Sequence, residues 1–317
     1  MLLPEIIEIE VVKGLCSADC PMCCINETRF DKKIMTYDKF TEVVDSFGTN
    51  IENVKKVILC GIGEALLDKT LGPKIKYLKS KGIELICVPT NASHLTEDVA
   101  TEILDAGIDE LIIAIDSLNK EVFESIRKGL VFEKVIENTH RYIDVRDAGN
   151  YDSAVMIRMI TSHRNIDEWD DYVKYWSKCL DFSKGDMFLR FPEHNWSEHD
   201  YPNAGLAIKP NEGLAIKPRK PRIDHSIRCE YVSDRYNIDV NGQMKLCCID
   251  VNADFFELGN VLQNDPVELI NSEQLNDIRR LMNDGKKEEI LPCSKCDTPN
   301  LRSRRTYSDD GMQFSSH

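Results

Sequence analysis

No apolar run in the 317-residue chain approaches the roughly 18 residues that span a bilayer. The N-terminus, MLLPEIIEIE, carries Glu5, Glu8 and Glu10 where a signal peptide would place Lys or Arg ahead of an apolar core. Both absences argue against export and membrane insertion, and a cytoplasmic protein is expected. Positive charge is also scarce: 40 Lys and Arg face 54 Asp and Glu, a net charge of −14. A chain this acidic repels nucleic acid and anionic lipid, so neither is expected as a partner. Its densest basic group, Arg302, Arg304 and Arg305, sits in the C-terminal tail. Hydrophobic residues at 42% and charged residues at 30% give a globular composition, not a disordered one. The length suits one large domain or two ordinary ones.

What the chain has in abundance is cysteine, 12 in all. Without an export signal, disulfides are disfavoured and metal or redox chemistry leads. Cys16, Cys20, Cys23 and Cys24 form a tight group, Cys229, Cys247, Cys248, Cys293 and Cys296 a second set, and only Cys60, Cys87 and Cys179 lie between.

From Glu5 to about residue 191, short β-rich runs alternate with helical stretches. The runs are IIEIEVV (6–12), VKKVILC (54–60), IELICV (83–88), ELIIAID (110–116), SAVMIRMI (153–160) and GDMFLRF (185–191). They read as near-continuously apolar strands, as expected for a parallel sheet buried on both faces. The helical stretches 36–47, 71–82 and 96–107 carry Thr caps or terminal glycines. Six strand–helix units predict an α/β domain, either a doubly wound sheet or an open barrel. Residues 196–228 hold Pro202, Pro210, Pro218 and Pro221 and two copies of GLAIKP, and read as a Pro- and Lys-rich connector. YNIDVNGQMKLCC (236–248) then reads as a hairpin turning at Asn241-Gly242, followed by a helical segment and LPCSKC. The expected divisions are therefore 1–195, the connector 196–228, a cysteine-stapled unit 229–300 and a polar tail 301–317.

Directly after the first strand, CSADCPMC sets Cys16, Cys20 and Cys23 in a C-x3-C-x2-C spacing. Three thiolates on one loop can hold three irons of a cubane cluster and leave the fourth open to a ligand. The alternative is a zinc site completed by a fourth residue. The spacing and its position resemble the radical S-adenosylmethionine (radical SAM) superfamily. In that family the open iron of a [4Fe–4S] cluster binds S-adenosylmethionine (SAM), and one electron then cleaves it to methionine and a 5′-deoxyadenosyl radical. CGIGEALL (60–67) is similar to the family's Gly-Gly-Glu-Pro loop, with Gly61, Gly63 and Glu64 matching and Ala65 in place of Pro. PTNASHL (89–95) is similar to its Thr-Asn-Gly-x-x-Leu segment, through Thr90 and Asn91, with Ala92 replacing Gly. IDSLNKEVFESIRKG (115–129) is similar to the stretch that ends in Arg-x-Gly and turns a polar residue, here Asp116 or Ser117, toward the nucleotide. Arg158 stands where relatives place a cation for the SAM carboxylate; its other reading is a surface salt bridge. The resemblance implies a partial (β/α)6 barrel over residues 5–191.

Cys229, Cys247 and Cys293-x2-Cys296 could together hold either a structural zinc or a fully ligated [4Fe–4S] cluster. Their spacing around Gly242 resembles the twitch extension, a one-cluster form of the SPASM domain of radical SAM enzymes. The absence of further cysteines after Cys296 argues against a third cluster. Cys60 and Cys87 are expected as buried small hydrophobes, and Cys248 or Cys179 as conceivable hydrogen-atom donors.

The resemblance implies SAM and two [4Fe–4S] clusters, an external one-electron donor of flavodoxin or ferredoxin type, and a small-molecule substrate. The expected activity is an oxidoreductase in which the auxiliary cluster accepts the substrate radical's electron. That logic resembles the twitch-bearing dehydrogenase of aminocyclitol antibiotic biosynthesis (2-deoxy-scyllo-inosamine dehydrogenase). The rivals are a peptide- or protein-modifying maturase, an epimerase, and a zinc-stapled binding protein without activity. A first strand by residue 5 argues mildly against a peptide substrate, because peptide-modifying relatives often carry a leader-binding domain before the barrel. Arg190, Glu193 and His194, at the end of the sixth strand, are the expected substrate contacts.

Overall fold

A computed structural model describes residues 1–26, 31–193, 225–251 and 255–297. Most of the expected connector, the GLAIKP duplication, the basic tail and His194 lie outside the described residues. Ten strands fall at Ile6–Glu10 (β1), Val12–Lys13 (β2), Lys33–Ile34 (β3), Lys56–Cys60 (β4), Leu85–Thr90 (β5), Glu110–Ala114 (β6), Ala154–Thr161 (β7), Met187–Pro192 (β8), Arg235–Ile238 (β9) and Met244–Lys245 (β10). The α-helices are Tyr37–Asp45 (α1), Leu71–Ser80 (α2), Glu97–Asp105 (α3), Lys120–Ile126 (α4), Phe132–Ala148 (α5), Trp169–Trp176 (α6), Tyr231–Asp234 (α7), Pro266–Ile270 (α8) and Glu273–Asn283 (α9). Local chemistry sets their starts. Thr36, Thr96 and Ser272 each accept a hydrogen bond from a first-turn N–H of α1, α3 and α9, a cap worth about 1 kcal/mol.

The main sheet has eight strands in the order β10-β9-β1-β4-β5-β6-β7-β8. β1 and β4 to β8 are parallel and ordered as they occur in the chain. A doubly wound sheet reverses its order at a switch point; this one does not. Right-handed crossovers taken always in one direction place their helices on one face and leave the other face as a lumen. The order therefore selects the partial barrel.

The two faces differ in composition. Toward the helices lie Ile7, Ile9, Val57, Leu59, Ile86, Val88, Leu111, Ile113, Val155 and Ile157, all buried, at about 1.5–3 kcal/mol for each side chain withdrawn from water. Toward the lumen, β1 turns Glu8 and Glu10, and β4 turns Lys56 and Cys60. The expectation of strands apolar on both faces is thus corrected for β1 and β4, whereas β6 turns Ile112 and Ala114 to the lumen and is apolar on both faces there. β1 alternates Ile with Glu because only one of its faces is dry.

The hairpin joins this sheet. β9 runs parallel to β1 on the side opposite β4, with Asn237 beside Glu8, and β10 returns antiparallel to β9. Its turn is longer than a two-residue Asn-Gly turn, since Ile238 pairs with Met244. Asp239 gathers the loop by accepting from the N–H groups of Asn241 and Gln243, and Gly242 takes φ +87°.

Candidate active site

A cavity of about 390 Å³ fills the lumen and reaches the loops at the C-terminal ends of the strands. Cys16, Cys20 and Cys23, on the loop after β1–β2, all line it. Each sulfur is positioned by its neighbours. Cys16 Sγ accepts from the Ala18 N–H at 3.4 Å and from Asn91 Nδ2 at 3.5 Å, and Cys20 Sγ accepts from Arg127 Nη1 at 3.7 Å. N–H groups aimed at sulfur are what thiolate-held iron uses to set its potential. Burial pushes the Cys16 thiol up to about 11 and raises Cys20. A hydrogen bond from the Cys24 thiol lowers Cys23, to about 7. Cys24 itself packs with Ile62 and Val251, so three thiols of this loop face the cavity, not four.

The loop after β4 is pressed against the cysteine loop. A Cβ on Gly61, at φ +150°, would meet Val12 O at 2.2 Å, and one on Gly63 would meet Leu15 O at 2.7 Å. Glycine is required at both for the two loops to touch. Glu64 is 2% exposed, lines the cavity and accepts from Thr90 Oγ1 at 2.6 Å and from the N–H groups of Asn91 at 2.8 Å and Leu66 at 3.1 Å. Burial raises its carboxyl above the usual range while those donors oppose the rise. Glu64 therefore ties the segments after β4 and β5 together, in addition to facing the cavity. Thr90 and Asn91 line the cavity beside it.

Arg158 on β7 also faces the cavity. Its Nε is buried without a hydrogen-bond partner, and burial depresses its pKa. The surface salt bridge reading is excluded, and a buried guanidinium edge is available to a ligand carboxylate. The other expected nucleotide contacts are placed elsewhere. Asp116 is fully buried, taking Arg127 Nε at 2.6 Å and the Ile160 N–H at 2.8 Å, and Ser117 donates to Glu168 at 2.7 Å. Neither lines the cavity. Both are consumed in holding Arg127 and the neighbouring backbone.

Of the expected substrate contacts, Glu193 lines the cavity. Arg190 points to the helical side and stacks over Trp169 at 4.8 Å, because alternation along β8 gives the lumen to Leu189 and Phe191. His194 lies outside the described residues. Cys60 and Cys87 are not merely core: both line the cavity, and the Cys60 thiol donates to Glu8 Oε1 at 3.3 Å. Arg127 is a site residue that the reading of the sequence passed over, although the Arg-x-Gly ending that contains it was the available signal.

The second cysteine set lies behind the cavity wall. Cys247 and Cys293 are buried within electrostatic reach of each other and of Cys229 and Cys296, and desolvation raises both thiols well above their usual value. Lys287, 1% exposed, donates to Cys296 O at 2.8 Å and places a buried cation beside the thiols. None of these four cysteines lines the cavity, whereas Cys248 does. Among the described residues no three His, Cys, Asp or Glu are spaced to share one ion. The clustered thiols of both sets suit iron–sulfur clusters, which they would bind with release of protons.

The family models match these features. Residues 11–175 match the Radical SAM superfamily and residues 229–297 the SPASM iron–sulfur cluster-binding domain. The chain belongs to the Radical SAM superfamily and carries a C-terminal SPASM-type domain; its cofactors are SAM and [4Fe–4S] clusters. Among curated relatives, GTP 3′,8-cyclase of Clostridium botulinum is 30% identical over 172 residues, 53% of this chain and 51% of that protein. The tungsten-containing aldehyde ferredoxin oxidoreductase cofactor-modifying protein of Pyrococcus furiosus is 22% identical over 52% of this chain and 46% of its own length. The chain thus spans about half the length of the curated relatives it matches. Among solved structures, BtrN in complex with AdoMet and 2-DOIA has a TM-score of 0.62 at 14% identity, covering 97% of this chain and 98% of that one. SuiB of Streptococcus suis bound to the precursor peptide SuiA has a TM-score of 0.62 at 13% identity, covering 99% and 75%. No helix of the described residues is long and apolar enough to cross a membrane.

Proposed function

We propose that the protein is a radical SAM oxidoreductase that dehydrogenates a small hydroxylated molecule, sugar-like or aminocyclitol in kind. The observation that carries this reading is the contrast between three thiols of one loop that line the cavity and four clustered thiols from three segments that do not. When bound at the open set, SAM and its cluster supply a 5′-deoxyadenosyl radical. Cys16, Cys20 and Cys23 hold that cluster, Arg158 receives the SAM carboxylate, and the Glu64–Thr90–Asn91 network shapes the pocket around it. For a secondary alcohol the balance is complete. The carbon loses a hydrogen atom to give 5′-deoxyadenosine, the hydroxyl loses a proton, and one electron leaves to an oxidised acceptor. Glu8, Glu10 and Glu193, on the cavity wall, are carboxylates placed to take that proton. Cys229, Cys247, Cys293 and Cys296 would ligate all four irons of a [4Fe–4S] cluster and leave none for substrate, which suits an electron acceptor. An outside one-electron donor of flavodoxin or ferredoxin type begins each turnover. The whole-chain likeness to BtrN supports the fold on which such chemistry is carried.

Epimerisation is the second reading, and it draws on the Cys60 and Cys248 thiols that face the cavity, either of which could return a hydrogen atom to the substrate radical. Anaerobic incubation with SAM, a reductant and a panel of cyclic polyols and amino-polyols separates the two. Dehydrogenation gives 5′-deoxyadenosine with a product lighter by two hydrogens, while epimerisation gives a product of unchanged mass. A panel yielding neither would overturn the small-molecule assignment.

A further inference from the structure

One wall of the cavity carries hydrogen-bonding groups that the protein does not use. β1, β9 and β10 present Glu8, Glu10, Asn237 and Lys245 to the lumen, and the strand register sets Lys245 beside Asn237 and Asn237 beside Glu8. Asn237 is 2% exposed, and neither its Nδ2 nor its Oδ1 has a hydrogen-bond partner. Glu10 Oε1 accepts from the Ile62 N–H at 3.1 Å, but Oε2 has no such partner. The Lys245 ammonium stands 3.8 Å from that oxygen, beyond hydrogen-bond distance. Buried polar groups in folded proteins are almost always hydrogen-bonded. Two neighbours left unsatisfied on one side of a cavity, with the Lys245 ammonium beside them, mark a place where a ligand completes the bonding.

We infer that this wall is the substrate-recognition subsite and that it takes a neutral group bearing adjacent hydroxyls; the inference rests on the small-molecule reading proposed above. Asn237 offers one donor side and one acceptor, Glu10 Oε2 an acceptor and Lys245 donors. Adjacent hydroxyls can answer all of them because each both donates and accepts. The charged groups on the wall are already ion-paired, Glu8 with Arg235 and Glu10 with Lys245. A substrate group with net charge would leave one of these without its counter-ion. An extended peptide also fits poorly, because the buried Lys56–Glu110 pair at 2.6 Å spans the strands at the end of the lumen opposite the cysteine loop. The facing wall, with Ile112, Ala114, Ile160, Leu189 and Phe191, is mostly apolar, its charged groups being Arg158 and Glu193. The SPASM-type domain, through β9 and β10, contributes half of the recognition wall.

Saturation-transfer NMR on the holoenzyme with SAM tests this, using myo-inositol as the polyol probe and alanine amide as the peptide-like comparator. Myo-inositol is expected to bind in preference to alanine amide. Asn237→Leu and Lys245→Met should each weaken it about tenfold or more, as loss of a buried polar contact to a ligand does. A purely structural Asn237 would also lower the melting temperature on replacement. Here Asn237→Leu should leave it unchanged or raise it, because an unsatisfied amide is removed from a strand. Undiminished myo-inositol binding in both variants, no binding in the parent, or preference for alanine amide would overturn the subsite. The redox reading fails separately: bound polyol that is released without loss of hydrogen would contradict dehydrogenation and leave the subsite standing.

Discussion

The two cysteine sites use the same side chain to opposite ends. The first gathers three thiols within one loop, all on the cavity wall, with the fourth cysteine turned into an apolar cluster. The second gathers four thiols from three separate segments, three of them buried and none on the cavity wall. A cubane needs four ligands. Three protein ligands leave a corner for an outside molecule, and four leave none. In the proposed function the contrast separates a site that binds and reacts from one that passes electrons or staples the fold. Their surroundings follow suit. The open site has Arg127 and Asn91 reaching its sulfurs and Arg158 nearby without a carboxylate partner, whereas the closed site has Lys287 sealed beside it.

The largest effect should come from removing the open site. Cys16, Cys20 and Cys23 replaced together by Ala should abolish 5′-deoxyadenosine formation, measured chromatographically, with the auxiliary iron retained. Because Cys16 titrates near 11 before metal binds, loading of the apoprotein with iron and sulfide should improve as pH rises from 7 to 9. The sign follows from proton release: the thiol is protonated throughout that interval and must lose its proton to bind.

Next comes the closed site. Cys293 and Cys296 replaced by Ala should lower iron by about half, as loss of one of two cubanes would, and should depress oxidised product far more than 5′-deoxyadenosine. Stability should also fall, since a small unit held by a metal centre loses folding energy with it. Circular dichroism must show the variant folded for the product ratio to be read.

Arg127→Met is smaller and confined to the open site. It strands Asp116, which is fully buried and pairs with Arg127 Nε at 2.6 Å, and breaking such a pair costs about 3–5 kcal/mol. It also withdraws the donor from Cys20, so in the folded variant the potential of the open cluster should move while that of the closed cluster does not. A redox titration followed by electron paramagnetic resonance checks both.

The smallest effect concerns Ala92, held at φ +59° where the family pattern has Gly. Left-handed backbone costs a residue with a Cβ roughly 1–2 kcal/mol, partly offset by the entropy that Gly would lose. Ala92→Gly should stabilise the loop by about 0.5–1 kcal/mol, read as a rise in melting temperature.

Much of this was legible in the sequence. The six barrel strands and their caps follow from period and capping chemistry, and the two cysteine spacings from cluster stoichiometry. The direction in which side chains point was not. Asp116 and Ser117 read as nucleotide contacts because they open the stretch that ends in Arg-x-Gly, but Arg127 of that same stretch and Glu168, 51 residues beyond Ser117, claim them. Arg190 and Glu193 sit three residues apart, and the pleat sends only Glu193 to the lumen. Cys60 ends an apolar run, yet its partner Glu8 comes from a strand 52 residues earlier. The pairing of β9 with β1 joins residues more than 200 apart, and no local pattern announces it.

The open and closed character of the two sites is tested most directly by electron paramagnetic resonance of the reduced, anaerobic holoenzyme before and after addition of SAM. Two cluster signals are predicted, with only the one lost in the Cys16, Cys20 and Cys23 variant shifting on SAM addition. A SAM-induced shift of the signal lost with Cys293 and Cys296, or a protein holding zinc at either site, would contradict the account.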